Sequence, residues 1–207
     1  QLPDGSLSQP EKGVPQGAVI SPVLSNLFLH YAFDVWMVRH QAGVRFERYA
    51  DDMLCHCTSR SQAEQLKVAL TRRLADCGLE LHPQKTHVVY CKDSQRRGTY
   101  LEYQFDFLGF QFRPRKSKDR FGRYFTNFTP AVSPRAAKAM RRTMRRWAVH
   151  RRSDKALDDL ARMFNPVVRG WLNYYGSYYR SALHAVFRHL DDHLTRWVKQ
   201  KYKRLRR

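Results

Sequence analysis

Val44-Arg45-Phe46-Glu47-Arg48-Tyr49-Ala50-Asp51-Asp52-Met53-Leu54-Cys55-His56-Cys57 is the stretch whose reading decides the fold. Val44 and Phe46 alternate with polar residues, and a second apolar run follows Asp52, so the segment predicts a β-hairpin with Ala50-Asp51-Asp52 at its turn. Along a straight strand two adjacent side chains face opposite ways. At a tight turn both carboxylates can approach one point. Tyr49, Met53 and Leu54 on either side predict partial burial. Two buried carboxylates repel one another unless a cation joins them, and Mg²⁺ is the cation that favours such hard oxygen ligands. Asp-Asp at a turn is, by itself, ordinary turn chemistry, so the neighbours must decide.

Working outward, residues 1–15 contain Pro3, Gly5, Pro10, Gly13 and Pro15 and read as loop. Ser21-Pro22 predicts an N-cap followed by proline at the first helical position. Leu24, Leu27, Phe28, Tyr31, Val35 and Val38 follow at helical spacing, and Gly43 closes that element. Beyond the hairpin, Ser61-Gln62-Ala63-Glu64 reads as a capping box, with Leu66, Leu70 and Leu74 as the buried face and Gly78 as the C-cap. Short strands are predicted at 79–81, 86–90 and 103–112. Residues 113–130 read as a basic connector, and only helical signals come after it: from Ser133-Pro134 to about Arg152, from about Asp154 to Phe164, a third after the break at Asn165-Pro166, and the last from about Ser181. The chain is therefore α+β in front and all-helical behind.

The order and spacing of four segments carry a resemblance. Gly13-Val14-Pro15-Gln16-Gly17-Ala18-Val19-Ile20-Ser21-Pro22 precedes Tyr49-Ala50-Asp51-Asp52. Gly78-Leu79-Glu80-Leu81-His82-Pro83-Gln84-Lys85-Thr86 and Phe107-Leu108-Gly109-Phe110 follow it. Together they resemble the later palm motifs of reverse transcriptases, those of group II intron enzymes above all. Asn165-Pro166-Val167-Val168-Arg169-Gly170-Trp171-Leu172-Asn173-Tyr174-Tyr175-Gly176 resembles the signature of the maturase domain of the same proteins. The resemblance implies a partial reverse-transcriptase palm over 1–112, a connector and thumb helix over 113–152, and maturase helices over 153–207. Pro15, Gln16 and Gly17 would line template and incoming nucleotide, although Ala18 stands where many relatives have a second glycine. Asp51 and Asp52 would be the catalytic Mg²⁺ ligands. Lys85 would meet the leaving pyrophosphate. Phe107, Leu108 and Gly109 would support the primer end. Such palms need a third carboxylate on an earlier strand, and residues 1–12 offer only Asp4 and Glu11 in a loop. It is expected upstream of Gln1, on a complementing N-terminal segment.

Charge divides the chain in the same place. The net charge is +20. Residues 1–112 hold 12 Lys+Arg and 12 Asp+Glu, whereas 113–207 hold 26 and 6, so all of the excess lies in the rear. A unit so charged seeks a polyanion, nucleic acid first. Residues 135–152 contain eight Lys/Arg and no acid. Ala137, Met140, Met144 and Trp147 share one helix face, leaving Arg135, Lys138, Arg141, Arg142, Arg145 and Arg146 for a duplex, in the manner of a polymerase thumb helix. Trp171 reads as core; Arg169 and Tyr174 read as RNA contacts, by phosphate grip and base stacking. His189 and His193 stand four apart and read as surface residues rather than a zinc site. Cys55, Cys57, Cys77 and Cys91 form no disulfide framework, which suits a reducing compartment. No apolar run is long enough to span a bilayer.

The resemblance thus implies two activities: binding intron RNA for splicing, and RNA-directed DNA synthesis for mobility. The partners would be group II intron RNA, an RNA template with a DNA primer, and deoxynucleoside triphosphates, in a cytoplasmic bacterial ribonucleoprotein, with an organellar location as the alternative. With one carboxylate absent, the alternative is a non-catalytic RNA-binding splicing cofactor.

Overall fold

The computed structural model describes residues 19–205. The chain divides into two compact units, 1–88 and 89–207. This division falls ahead of residue 112, the boundary expected from the motifs. The reason is strand pairing: residues 105–112 pair with residues that follow them, so they fold with the rear.

The front unit packs helices over a two-stranded hairpin. Helix α1 (Ser21–Leu29) continues through a wide π-helical turn (His30–Asp34) into α2 (Val35–His40). Ser21 lies inside the first turn, with Ile20 as the N-cap and Pro22 in the first turn as expected of proline. Strands β1 (Arg45–Tyr49) and β2 (Asp52–His56) pair antiparallel, Tyr49 opposite Asp52. Helix α3 (Arg60–Asp76) is capped by Ser59, whose hydroxyl accepts from the Gln62 amide at 3.1 Å. The expected cap at Ser61 is therefore two residues late. At its far end Leu79 N–H donates to the Leu74 carbonyl at 2.8 Å and Gly78 N–H to Ala75 at 2.9 Å, with Gly78 at φ +73°. That is the glycine-terminated helix end the sequence predicts. The core is small: Phe33, Met37 and Leu66 are buried, with Trp36, Phe46, Met53, Cys55 and Leu70 against them. The strands expected at 79–81 and 86–90 do not form; those residues belong to no strand.

The rear unit joins a three-stranded antiparallel sheet to three long helices. Strands β3 (Phe105–Phe107), β4 (Phe110–Lys118) and β5 (Tyr124–Val132) lie in that order. The expected connector is thus a long hairpin, and the expected single strand over 103–112 is two strands with Leu108-Gly109 as their turn. Helix α4 (Pro134–Trp147) starts on Ser133, whose hydroxyl accepts from Ala136 N–H at 3.1 Å, and stops on Ala148 in the left-handed region. Its stripe packs as expected: Ala137, Met140 and Met144 are buried beside Leu183 and Val186. Helix α5 (Leu157–Tyr175) runs straight through Pro166. Proline removes one backbone donor, and here the packing of both halves outweighs that loss, so the expected break is absent. Helix α6 (His184–Lys201) closes the unit, with Trp197 buried against Val149 and Leu160.

Candidate polymerase turn and nucleic-acid face

The hairpin turn is built by Arg48. Period-2 alternation places Phe46 and Arg48 on the inward face of β1. An inward arginine must find a counter-charge, and the π turn presents Asp34. Arg48 Nε and Nη2 donate to the two Asp34 oxygens at 2.7 and 2.8 Å. Its Nη1 donates to the Asn26 side-chain oxygen at 2.9 Å and to the Ala50 carbonyl at 3.0 Å. One guanidinium therefore ties the turn to the helix behind it. The hydrogen bonds from Arg48 hold the Asp34 carboxyl below its ordinary pKa, with His30 assisting. From α3, Arg73 donates to the Ala32 and Tyr31 carbonyls at 3.0 and 3.3 Å, bracing the π turn.

Ala50 is the first of the two turn residues and has φ +52°. A side chain there is strained by about 1–2 kcal/mol, and the Arg48 bond to its carbonyl holds it in place. Asp51 and Asp52 are exposed, and their side chains make no hydrogen bond or ion pair among the described residues. The expected partial burial is not seen: Tyr49 is 64% exposed, and only Met53 and Leu54 are half-buried. Two adjacent, unpaired carboxylates fit a hard divalent cation as two of its ligands. Asp34 is committed to Arg48, and no group of three His, Cys, Asp or Glu among the described residues is arranged to hold a metal. Lys85 lies exposed in the turn that follows His82, with no bond to either aspartate. Pro15, Gln16 and Gly17 lie outside the described residues.

In the rear unit the Phe107–Gly109 segment meets the C-terminal end of α5. Leu108 and Gly109 both have positive φ, +49° and +79°, as type I′ hairpin turns require. Tyr174 Oη donates to the Leu108 carbonyl at 2.9 Å. Ser133 N–H donates to the Gly109 carbonyl at 2.9 Å. Phe110 is ringed by Tyr174, Tyr175 and Tyr178 at centroid distances of 5.2, 5.2 and 5.5 Å. A Cβ on Gly109 would lie 2.7 Å from Tyr175 Oη. So the expected primer-support residues and the expected RNA-contact Tyr174 are brought together. Trp171 packs into the core, stacked on Trp147 at 5.6 Å.

Along α4, Arg135, Lys138, Arg142, Arg145 and Arg146 are exposed and Arg141 is half-buried. Arg169 on α5 is exposed as well. None of these seven cations has an ion-pair partner among the described residues; the rear unit's ion pairs involve Arg96, Arg123, Lys155 and Arg162 instead. Like charges crowded on one helix without counter-charges repel, so this face stores an attraction for a polyanion. His193 departs from expectation. It is 5% exposed, its Nε2 lies 3.2 Å from that of His189, and its Nδ1 has no partner. Burial pushes its pKa down, with the neighbouring His189 and His150 adding to the effect. All four cysteines are free, and burial pushes the Cys55 thiol up to about 12.

Residues 4–112 match the family model described as reverse transcriptase (RNA-dependent DNA polymerase), and residues 137–207 match the group II intron maturase-specific domain. The chain belongs to the group II intron reverse transcriptase/maturases. No individual curated protein matches it significantly. The family accounts for a palm-type hairpin and a helical maturase domain in one reverse transcriptase/maturase chain, and its members generally use divalent metal ions. No described helix is long and apolar enough to cross a membrane. The residue that motif reading missed is Arg48. The signal was present: Phe46 and Arg48 share one strand face, so Arg48 had to point inward.

Proposed function

We propose that this reverse transcriptase/maturase chain binds group II intron RNA through its rear unit, in the service of splicing, and supplies two of the carboxylates of a polymerase site. The observation that carries the reading is the row of cations on α4 without ion-pair partners. Phosphates are the counter-charge such a row fits.

For DNA synthesis, Asp51 and Asp52 would hold Mg²⁺, which supplies charge neutralisation for in-line attack of a primer hydroxyl on a nucleoside triphosphate. Arg48 fixes the backbone that presents them. Leu108 and Gly109 would bear on the primer end, and Pro15, Gln16, Gly17 and Lys85 on template and nucleotide. A third carboxylate from a complementing N-terminal segment would complete the set. The second reading is a non-catalytic RNA-binding splicing cofactor.

Binding of an intron RNA should fall steeply with salt, with a log–log slope of several units for this many phosphate contacts. A flat salt dependence overturns the RNA-binding reading. Primer extension on an RNA template, with and without the N-terminal segment, separates the two readings. Activity that survives Asp51→Ala with Asp52→Ala removes both residues from the metal site.

A further inference from the structure

The β4–β5 hairpin carries charge and rings that neither the polymerase turn nor α4 uses. Residues 113–124 read Arg-Pro-Arg-Lys-Ser-Lys-Asp-Arg-Phe-Gly-Arg-Tyr. Phe110 pairs with Val132 at the inner end and Lys118 with Tyr124 at the outer end. At about 3.3 Å per residue, the ladder extends roughly 26 Å. Its inner end is core, with Phe110, Ala131 and Val132 buried. Its outer end is not: Phe121 and Tyr124 are 67% and 64% exposed.

The outer turn is ordered from within. Asp119 is the single acid of the arm, and it is consumed in making the turn. One of its oxygens accepts from Phe121 N–H and Arg123 N–H at 2.8 and 2.9 Å, and the other from Arg123 Nε at 3.1 Å. Arg113, Lys116, Lys118 and Arg120 are left without an ion-pair partner among the described residues, and each exposed ring has cations over it. Lys116 and Lys118 lie 4.2 and 5.7 Å from the Tyr124 centroid; Arg120 and Arg123 lie 4.7 and 5.4 Å from that of Phe121.

We propose that this arm is a docking surface for unpaired RNA, separate from the α4 face. Exposed rings offer a stacking platform to bases, and the flanking cations track the phosphates. Bases in a duplex are already stacked on each other, so the rings select single strands. Residues 113–124 contain no Val, Leu, Ile or Met, so beyond its two rings and Pro114 the arm has little hydrocarbon to bury in a bilayer. The proposal rests on the RNA-binding reading of the rear unit and adds a second, chemically distinct contact to it.

Fluorescence anisotropy of the full chain with a labelled unstructured oligonucleotide, against an RNA duplex of the same length, tests it. Phe121→Ala with Tyr124→Ala should weaken unpaired RNA about tenfold or more and leave the duplex unchanged. Phe121→Trp with Tyr124→Trp should restore the affinity, which a damaged fold would not allow. Lys116→Ala with Lys118→Ala and Arg120→Ala should lower the salt slope for unpaired RNA by about 2. Binding of unpaired RNA that is unaffected by the alanine pair overturns the proposal. So does an equal loss for duplex and single strand, or arm-dependent binding to phosphatidylserine vesicles in place of RNA. A wild-type chain that binds neither RNA overturns this proposal and the reading beneath it together.

Discussion

Arg48 makes four hydrogen bonds from one side chain, and three different partners depend on them. Lysine keeps the charge but not the fork. Arg48→Lys should therefore destabilise the front unit by about 2 kcal/mol, read as faster amide exchange at 45–56. The Asp34 carboxyl should also titrate closer to its ordinary range, seen by carbon NMR. The sign follows from linkage: a carboxylate whose pKa is lowered on folding contributes stability above the unfolded value of 3.8. That contribution is lost as pH falls through the lower folded value. At Ala50, glycine should relieve strain and raise stability by about 1 kcal/mol, offset in part by a more flexible unfolded chain. The turn itself was legible because Asp51-Asp52 follows an alternating strand. The clamp was not, because Arg48 and Asp34 lie on different elements and no local pattern pairs them. The burial expected of Asp51 and Asp52 failed because Tyr49 projects outward, which residue type alone does not reveal.

Among elements, α5 and the β3–β4 turn depend on each other. Gly109→Ala places a methyl group against Tyr175 Oη at a backbone angle that disfavours side chains. It should cost the rear unit about 2–3 kcal/mol. Tyr175→Phe in the same chain should recover part of that cost, because it removes the atom that is met first; urea titration of the four variants measures the coupling. On α6, His193 is buried neutral. Its folded pKa lies below the ordinary 6.5, so the unfolded chain binds the extra proton first as pH falls through that value. Rear-unit stability should accordingly be lower at pH 5 than at pH 7. His193→Phe should flatten the dependence, as thermal melts across that range would show. Most helices were legible from caps and stripes, α4 best of all. The β4–β5 hairpin was not, because Pro114, Pro130 and a run of charges hide its alternation. Pro166 misled for the opposite reason: one lost backbone bond weighs less than the apolar packing on both sides of it.

At the scale of the molecule, the family matches and the fold divide the chain differently. The reverse-transcriptase match runs to residue 112, whereas the compact units part at Val88 and Val89. A fragment of residues 89–207 should unfold cooperatively and keep its RNA affinity. A fragment of 113–207 should not, because β4 loses Phe110–Phe112 and β5 loses their pairing. Circular dichroism on both fragments checks this. The shared turn at Leu108-Gly109 then bears on descent as well as on chemistry. A copy selected only for splicing is free to drift at Asp51 and Asp52. It is not free at Gly109, Phe110 or Tyr175, since these hold the maturase helices in shape. In such lineages the last remnant of the polymerase should be the part that its successor stands on.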